Sequence, residues 1–143
     1  MIIVPDASVI LKWVLEKGEG EEVKQALALQ NAFVAGELEL QVPTLWQYEV
    51  GNVLGIKQPD LAGELMGALL EYEIPEVPLT PKYCQAVLRL MQEINGVTFY
   101  DSCYHVLAIQ KMGIYVTADR EYIRKAGKKG HVSLLAEWQK SKH

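Results

Sequence analysis

Four acidic side chains of this 143-residue sequence occupy positions that favour chemistry over simple solvation. They are Asp6, Glu49, Asp101 and Asp119. Asp6 directly follows the apolar run 2–4, and Asp119 lies three residues beyond a second apolar run, 114–116. Ligands of open parallel sheets bind beyond the carboxyl ends of the strands. Neighbouring strands at these two runs would bring both acids to one edge, although each acid also suits a plain helix cap.

The other two acids interrupt apolar helical segments. Glu49 has Trp46 and Val53 among its neighbours at helical spacing, where an unpaired charge is costly. A boundary position with the carboxylate reaching water is the alternative. Asp101 stands three residues after Thr98 at the start of an apolar helix, which is also the spacing of a capping box.

Together the four acids indicate a metal site. Carboxylates that share a pocket repel one another unless they are protonated or bind cations. Oxygen ligands without His or Cys select Mg²⁺ or Mn²⁺, and such a site suits phosphodiester hydrolysis. No P-loop, dinucleotide fingerprint or nucleophile elbow is present. The remaining candidate ligands follow no metal-binding spacing: His105, His131, His143, Cys84 and Cys103.

Short apolar strands separated by helices must position these acids. We expect strands at 2–4, 38–42, around Val77, at 114–116 and at 131–133. We expect helices at 7–16, 21–35, 45–56, 61–72, 81–93, 100–112, 119–126 and 134–140. This order predicts an α/β fold, a three-layer α/β/α sandwich with a short, mainly parallel central sheet. We find no linker or repeat, so residues 1–143 are interpreted as a single domain.

The charge distribution qualifies what the composition excludes. The formal net charge is −4, which argues against a uniformly basic nucleic-acid binder. Residues 1–119 carry 7 Lys/Arg against 16 Asp/Glu, whereas residues 120–143 carry 7 against 2. The basic segment after Asp119 is suited to a phosphate backbone. No apolar run approaches the length of a membrane span and no signal peptide is recognisable, so we expect a cytoplasmic protein without a membrane partner.

Four motifs in chain order resemble those of the PIN-domain nucleases, and most of all the VapC toxins of prokaryotic type II toxin–antitoxin pairs. They are Asp6-Ala-Ser-Val, Tyr-Glu49-Val-Gly-Asn-Val-Leu, Tyr100-Asp101-Ser-Cys-Tyr104 and Thr117-Ala-Asp119-Arg. The resemblance implies an endoribonuclease that uses Mg²⁺ or Mn²⁺, with the four acids as its metal ligands and catalytic residues. It places the hydroxyls of Ser8 and Thr117 near the metal and substrate, and we add Arg120 as a phosphate contact. It also implies RNA as substrate, a homodimer and a VapB-like antitoxin.

Other functions compete with this interpretation. Within the nuclease class, the alternative is an RNA-processing enzyme that is not a toxin. A PIN-like module that binds protein without cleaving is a different class, and retention of all four acids argues against it. A receiver domain requires paired acids after the first strand, and Asp6 has no acidic neighbour. A haloacid dehalogenase-type phosphatase requires Asp-x-Asp, but Ser8 stands at the second position. The apolar helix face within 61–70 predicts core packing or a dimer surface.

Overall fold

A parallel sheet of four short strands lies at the centre of the computed structural model, which describes residues 1–15 and 20–138. The strands are β1 (Ile2–Pro5), β2 (Glu39–Leu40), β5 (Ile114–Thr117) and β6 (Val132–Leu134). Their order is β2-β1-β5-β6, and Ile3 is in register with both Leu40 and Ile114. Because β1 and β5 are neighbours, the residues that follow them meet at one edge of the sheet.

The predicted strand at 38–42 is wrong as a single element. The chain changes sheets at Gln41, so that β2 pairs with β1 while β3 (Val42–Pro43) pairs with β4 (Glu76–Val77) in a separate two-stranded sheet. Gln41 still donates its N–H to the Ile3 carbonyl at 3.1 Å, and the next residue, Val42, donates to the Pro75 carbonyl at 3.0 Å. The switch leads the chain from the central sheet into the helix that carries Glu49.

Seven α-helices occur within the described residues. They are α1 (Ala7–Lys12), α2 (Glu21–Val34), α3 (Trp46–Lys57), α4 (Ala62–Leu70), α5 (Pro81–Glu93), α6 (Phe99–Gln110) and α7 (Arg120–Ala126). Both α1 and α6 pack on β1 and β5, while α2 packs on α1 and α5 packs on α6. This confirms the predicted α/β fold class, and the layering is that of a three-layer sandwich.

Two predicted helices depart most from the structure, and a third, expected at 61–72, is observed only over Ala62–Leu70. The helix expected at 7–16 ends at Lys12, and the predicted end at Glu16 lies outside the described residues. The last helix, expected at 134–140, is replaced by the end of β6 and a single 3₁₀ turn, Leu135–Glu137. Ser133 and Leu134 extend the sheet because β5 offers them a hydrogen-bonding edge, and Lys140 lies beyond the described residues.

The core is continuous from the central sheet into the surrounding helices, with Trp46, Tyr104, Tyr115 and Trp138 among its fully buried side chains. Tyr104 and Tyr115 stack at 5.6 Å between ring centroids, directly beneath the carboxyl end of β5. Within the part of the chain that is described, no helix has both the length and the apolar character needed to cross a membrane.

Gly113 allows β5 to approach β1 closely, because a Cβ at this position would lie 2.3 Å from the Ile2 carbonyl oxygen. We expect Gly113→Ala to lower the free energy of unfolding by at least about 2 kcal/mol, since backbone rather than a flexible side chain must move. Gly67→Ala on α4 is the matched control, because nothing lies within 4 Å of its added methyl group. Urea unfolding of both variants checks the prediction, which fails if Gly113→Ala is as stable as the wild type.

Candidate active site

Asp6 closes the first strand and turns its carboxylate inward. Its N–H donates to the Val116 carbonyl at 2.9 Å, and the residue is only 9% exposed. The Asp6 Oδ2 atom accepts hydrogen bonds from Ser8 Oγ at 2.7 Å and Thr117 Oγ1 at 3.2 Å. Asp6 occupies the N-cap position of α1, yet its side chain makes no capping bond. Burial raises the pKa of Asp6, and the two hydroxyls partly oppose that rise.

Glu49 points from α3 toward α6. Its Oε1 atom accepts a hydrogen bond from the Tyr104 hydroxyl at 2.6 Å. Burial, followed by the negative charges of Asp6 and Asp101, raises the pKa of Glu49 from 4.5 to about 7, although the Tyr104 hydrogen bond lowers it. The carboxylate is therefore held inside the fold by a tyrosine instead of reaching freely into solvent.

Asp101 lies in the first turn of α6. Thr98 caps this helix as the sequence predicts, since its Oγ1 atom accepts the Asp101 N–H at 3.1 Å. Burial, followed by the charges of Asp6 and Asp119, raises the pKa of Asp101 from 3.8 to about 6, although Thr98 and Lys125 act to lower it. A side-chain hydrogen bond with Thr98 also involves the Asp101 carboxyl group, which remains exposed to the charges of Asp6 and Asp119.

Asp119 is the N-cap of α7 instead of its first helical residue. Its Oδ1 atom accepts the Tyr122 N–H at 3.1 Å, and its own N–H donates to Thr117 Oγ1, also at 3.1 Å. The Thr117 hydroxyl thus donates to Asp6 and accepts from Asp119, which joins the ends of the two acid-bearing segments. Asp101 and Asp119 line a cleft of about 150 Å³, which Lys125 also lines.

The strand order explains why residues so distant in sequence meet. Asp6 follows β1 and Asp119 follows β5, and these strands are neighbours with their carboxyl ends at the same edge. Asp101 is influenced by the charges of both Asp6 and Asp119, and Glu49 by those of Asp6 and Asp101. The structure therefore brings all four predicted acids into one electrostatically coupled group.

The chemistry of this group fits a hard divalent cation. Every candidate ligand is a carboxylate or hydroxyl oxygen, and Mg²⁺ and Mn²⁺ prefer such ligands. Within residues 1–15 and 20–138, none of the four acids forms a salt bridge with Lys or Arg. No three His, Cys, Asp or Glu side chains in this part of the chain converge closely enough to form a ready metal cluster. Hydrogen bonds from Tyr104, Ser8 and Thr117 instead hold two of the carboxylates in place.

The basic segment after Asp119 is partly engaged in local contacts. Arg124 forms an ion pair with Glu121, the acidic residue nearest to Asp119 in sequence. Lys129 contacts Glu93 at 2.5 Å, and Lys125 Nζ donates to the Gly96 carbonyl at 3.0 Å. Arg120 is exposed at the start of α7 and forms no ion pair with any described residue. Of the other basic residues in the segment, Lys140 and Lys142 lie outside the described residues.

Two positioning residues escape prediction from the sequence. Tyr104 stands three residues after Asp101 on α6, and that spacing places both side chains on one helix face. This spacing indicates that Tyr104 lies on the same side of the helix as Asp101, but it does not identify Glu49 as the hydrogen-bond partner of Tyr104. His105 joins α6 to the segment after Asp119, with Nδ1 2.6 Å from the Tyr122 hydroxyl and Nε2 2.7 Å from the Gly130 carbonyl.

Comparisons with known proteins agree with this fold. The PIN domain family model matches residues 3–128. Among solved structures, the chain resembles the crystal structure of PAE2754 from Pyrobaculum aerophilum, with a TM-score of 0.67 and 20% sequence identity over 99% of this chain and 94% of that one. No curated protein matches the sequence. Since the family model covers most of the chain, including all four acids, this protein belongs to the PIN domain family, a family of nuclease type.

Proposed function

We propose that this protein is an endoribonuclease that requires Mg²⁺ or Mn²⁺ and hydrolyses RNA phosphodiester bonds. One observation carries the proposal: the acids lie beyond the ends of β1 and β5, where burial, followed by the charges of neighbouring acids, raises the pKa values of Glu49 and Asp101. A fold gains nothing from such repulsion, whereas a dication bound among the acids would relieve it. Membership in a nuclease-type family supports the same reading.

Asp6, Glu49, Asp101 and Asp119 would hold the metal. A bound Mg²⁺ or Mn²⁺ would polarise the scissile phosphate and lower the pKa of an attacking water. Ser8 and Thr117 fix the Asp6 carboxylate by donating to Oδ2, and Tyr104 fixes Glu49. Through these contacts the hydroxyls orient ligands and border the substrate site.

Arg120 is, among the described residues, an unpaired cation that can contact the RNA backbone beside the acids. It follows Asp119 directly, is exposed and has no ion-pair partner among the described residues. A guanidinium group binds phosphate through paired hydrogen bonds. The acids alone would repel RNA, so this cation and the bound metal supply the attraction.

The biological role we propose is that of a VapC-type toxin with a VapB-like antitoxin and a homodimeric assembly, in the cytoplasm. The four motifs that resemble VapC toxins support this role. The apolar face within 61–70 is largely core packing, with Leu69 buried and Leu65 and Met66 packed against the core, so the homodimer rests on the resemblance alone. Induced expression in a bacterial host is expected to arrest growth, and the Asp101→Asn variant is not. Normal growth with the wild-type protein would favour an RNA-processing role instead.

Cleavage by the purified protein tests the enzymatic proposal. Bacterial total RNA is incubated with the protein and Mg²⁺, with Mn²⁺, or with EDTA. We expect fragments with either metal and intact RNA with EDTA. Equal cleavage in EDTA would contradict the metal requirement, and intact RNA under every condition would contradict the nuclease activity.

Thr117→Val is expected to slow cleavage by roughly 10- to 100-fold, the usual cost of losing a group that orients a metal ligand. Valine keeps the shape of threonine but removes the hydroxyl that joins Asp6 to the Asp119 backbone. Thr117→Ser keeps that hydroxyl and should retain most of the activity. The measurement is the cleavage rate as a function of Mg²⁺ concentration, with the Thr117→Val curve displaced to higher metal. Identical curves for both variants would contradict a positioning role.

A further inference from the structure

A second cavity, lined mainly by apolar and aromatic side chains, lies between the starts of the two helices that carry Glu49 and Asp101. It has a volume of about 160 Å³, and its walls include Tyr48, Leu79, Tyr83, Phe99 and Tyr100. An engineered cavity of about 150 Å³ accommodates a benzene molecule, so a space of this size takes a single planar ring. The metal-ligand assignment makes no use of this cavity.

Two tyrosines that line the cavity each directly precede one of the acids in sequence. Tyr48 directly precedes Glu49 on α3, and Tyr100 directly precedes Asp101 on α6. Both tyrosines are well exposed, at 80% and 61%, although large aromatic side chains are usually buried in part. Neither has a ring partner or a side-chain hydrogen bond among the described residues. Two unengaged aromatic rings therefore border the same cavity, one residue away from two candidate metal ligands.

On its far side the cavity adjoins a more polar cleft of about 430 Å³. Val77 and Tyr83 line both spaces, and the second cleft also contains Lys82 and Lys111. Both lysines are exposed and form no ion pair with any described residue. An aromatic cavity continuing into unpaired cations is complementary to a nucleic acid strand, which offers planar bases and negative phosphates. An apolar protein segment would match the cavity but would leave the lysines without a function.

We propose that this cavity binds one unpaired nucleobase of the substrate RNA, stacked against Tyr48 and Tyr100. Lys82 and Lys111 then contact phosphates farther along the strand. The proposal rests on the ribonuclease function proposed above. A base enters such a cavity only when it is not stacked and paired in a duplex. The bound base sets the register of the strand, and with it the position of the cleaved bond relative to the acids.

Equilibrium binding tests the proposal without requiring cleavage. The probe is a short, fluorescently labelled single-stranded RNA of randomised sequence, and a duplex of equal length is compared with it. Binding is measured in Mg²⁺. Every variant also carries Asp101→Asn, so that the probe is not cleaved. Tyr48→Ala and Tyr100→Ala are expected to weaken single-strand binding by roughly tenfold each, the scale of one lost base stack. Tyr48→Phe and Tyr100→Phe should bind as tightly as the parent protein, because a phenyl ring still stacks.

Two further variants separate the roles of ring and charge. Val34→Ala is the control, since Val34 is 67% exposed at the end of α2, a helix that lines neither the cavity nor the cleft with the lysines. It should leave binding unchanged. Lys82→Gln together with Lys111→Gln should reduce the salt dependence of binding, with the slope falling by about 1.4 for two lost phosphate contacts to a single strand. Thermal unfolding confirms that each variant folds.

Three outcomes would overturn the proposal. The first is an affinity for single-stranded RNA that the tyrosine-to-alanine variants leave unchanged. The second is the absence of binding to single-stranded RNA, or binding no tighter than that of the duplex. The third is altered self-association in sedimentation with RNA affinity unchanged, which would assign the surface to a second copy. If the wild-type protein cleaves no RNA but tyrosine-dependent binding persists, the proposed activity fails while the base-binding cavity stands.

Discussion

Asp101→Asn is expected to slow metal-dependent RNA cleavage by more than about a hundredfold, because even groups that only orient metal ligands contribute up to that factor. Asp101 is the carboxylate whose pKa responds to both Asp6 and Asp119, so it connects the two sides of the acidic group. Asparagine keeps the size of the side chain and removes its charge. The helix start is preserved, since Thr98 caps α6 by accepting the backbone N–H of residue 101, which asparagine retains.

Asp60→Asn provides the matched control for this experiment. Asp60 is an exposed acid in the turn before α4, away from the acidic group, and the chemical change is the same. The cleavage rate of each variant is measured at saturating Mg²⁺ with thermal unfolding recorded in parallel. A folded Asp101→Asn protein that cleaves as fast as Asp60→Asn would remove Asp101 from the catalytic group.

Glu49→Gln is expected to have the opposite effect on stability, raising the free energy of unfolding of the metal-free protein at neutral pH by roughly 1–2 kcal/mol. The ionised form of Glu49 destabilises the folded state, since burial and the nearby charges of Asp6 and Asp101 raise its pKa from 4.5 to about 7. Glutamine removes that charge while its carbonyl oxygen can still accept the Tyr104 hydrogen bond. For a chain of this length, the melting temperature should rise by about 3–8 °C.

The same pKa shift fixes the direction of the pH dependence. When folding raises the pKa of a group, protonation of that group stabilises the folded state. This stabilisation is fully present below the pKa of the group in the unfolded chain, and it is lost as the pH rises through its pKa in the folded protein. For Glu49 this interval extends from 4.5 to about 7, and for Asp101 from 3.8 to about 6. The metal-free wild-type protein should therefore become more stable as the pH falls through 7, and Glu49→Gln should show a smaller gain.

His105 acts in the opposite direction at lower pH. Burial lowers its pKa below 6.5, so protonation favours the unfolded chain once the pH falls below that value. The contribution of Glu49 is therefore clearest above 6.5, and urea unfolding in EDTA at several pH values separates the two. Glu64→Gln, at an exposed position on α4, is the control and should change stability by less than about 0.5 kcal/mol. A Glu49→Gln protein less stable than the wild type at neutral pH would contradict the account.

The meeting of Asp6 and Asp119 could be predicted from the sequence, because strand ends are recognisable from short β-branched runs followed by polar residues. Parallel pairing then places both acids at one edge. The pairing partner of the 38–43 segment could not be predicted, since its residues suit either sheet and the choice depends on where β4 lies. The prediction of the last helix was wrong for a related reason: Leu134 pairs with β5 and extends the predicted strand instead of starting a helix.

Contacts between distant helices were also beyond the sequence. Nothing in the local pattern around Glu49 indicates that a tyrosine 55 residues later will hold it. The cavity beside Tyr48 and Tyr100 likewise depends on how α3, α5 and α6 pack, which periodicity alone does not specify. The sequence motifs therefore identify the acids, whereas the packing identifies the residues that orient them and the surface that surrounds them.

Binding of Mn²⁺ tests most directly whether the four acids form a metal site. The electron paramagnetic resonance signal of free Mn²⁺ is followed while the ion is titrated into the wild-type protein, Asp6→Asn and the Asp60→Asn control. We expect the wild-type protein and Asp60→Asn to bind Mn²⁺ that excess Mg²⁺ displaces, and Asp6→Asn to lose that binding. Equal binding by Asp6→Asn, or no binding by the wild-type protein, would contradict a metal-dependent nuclease built on these carboxylates.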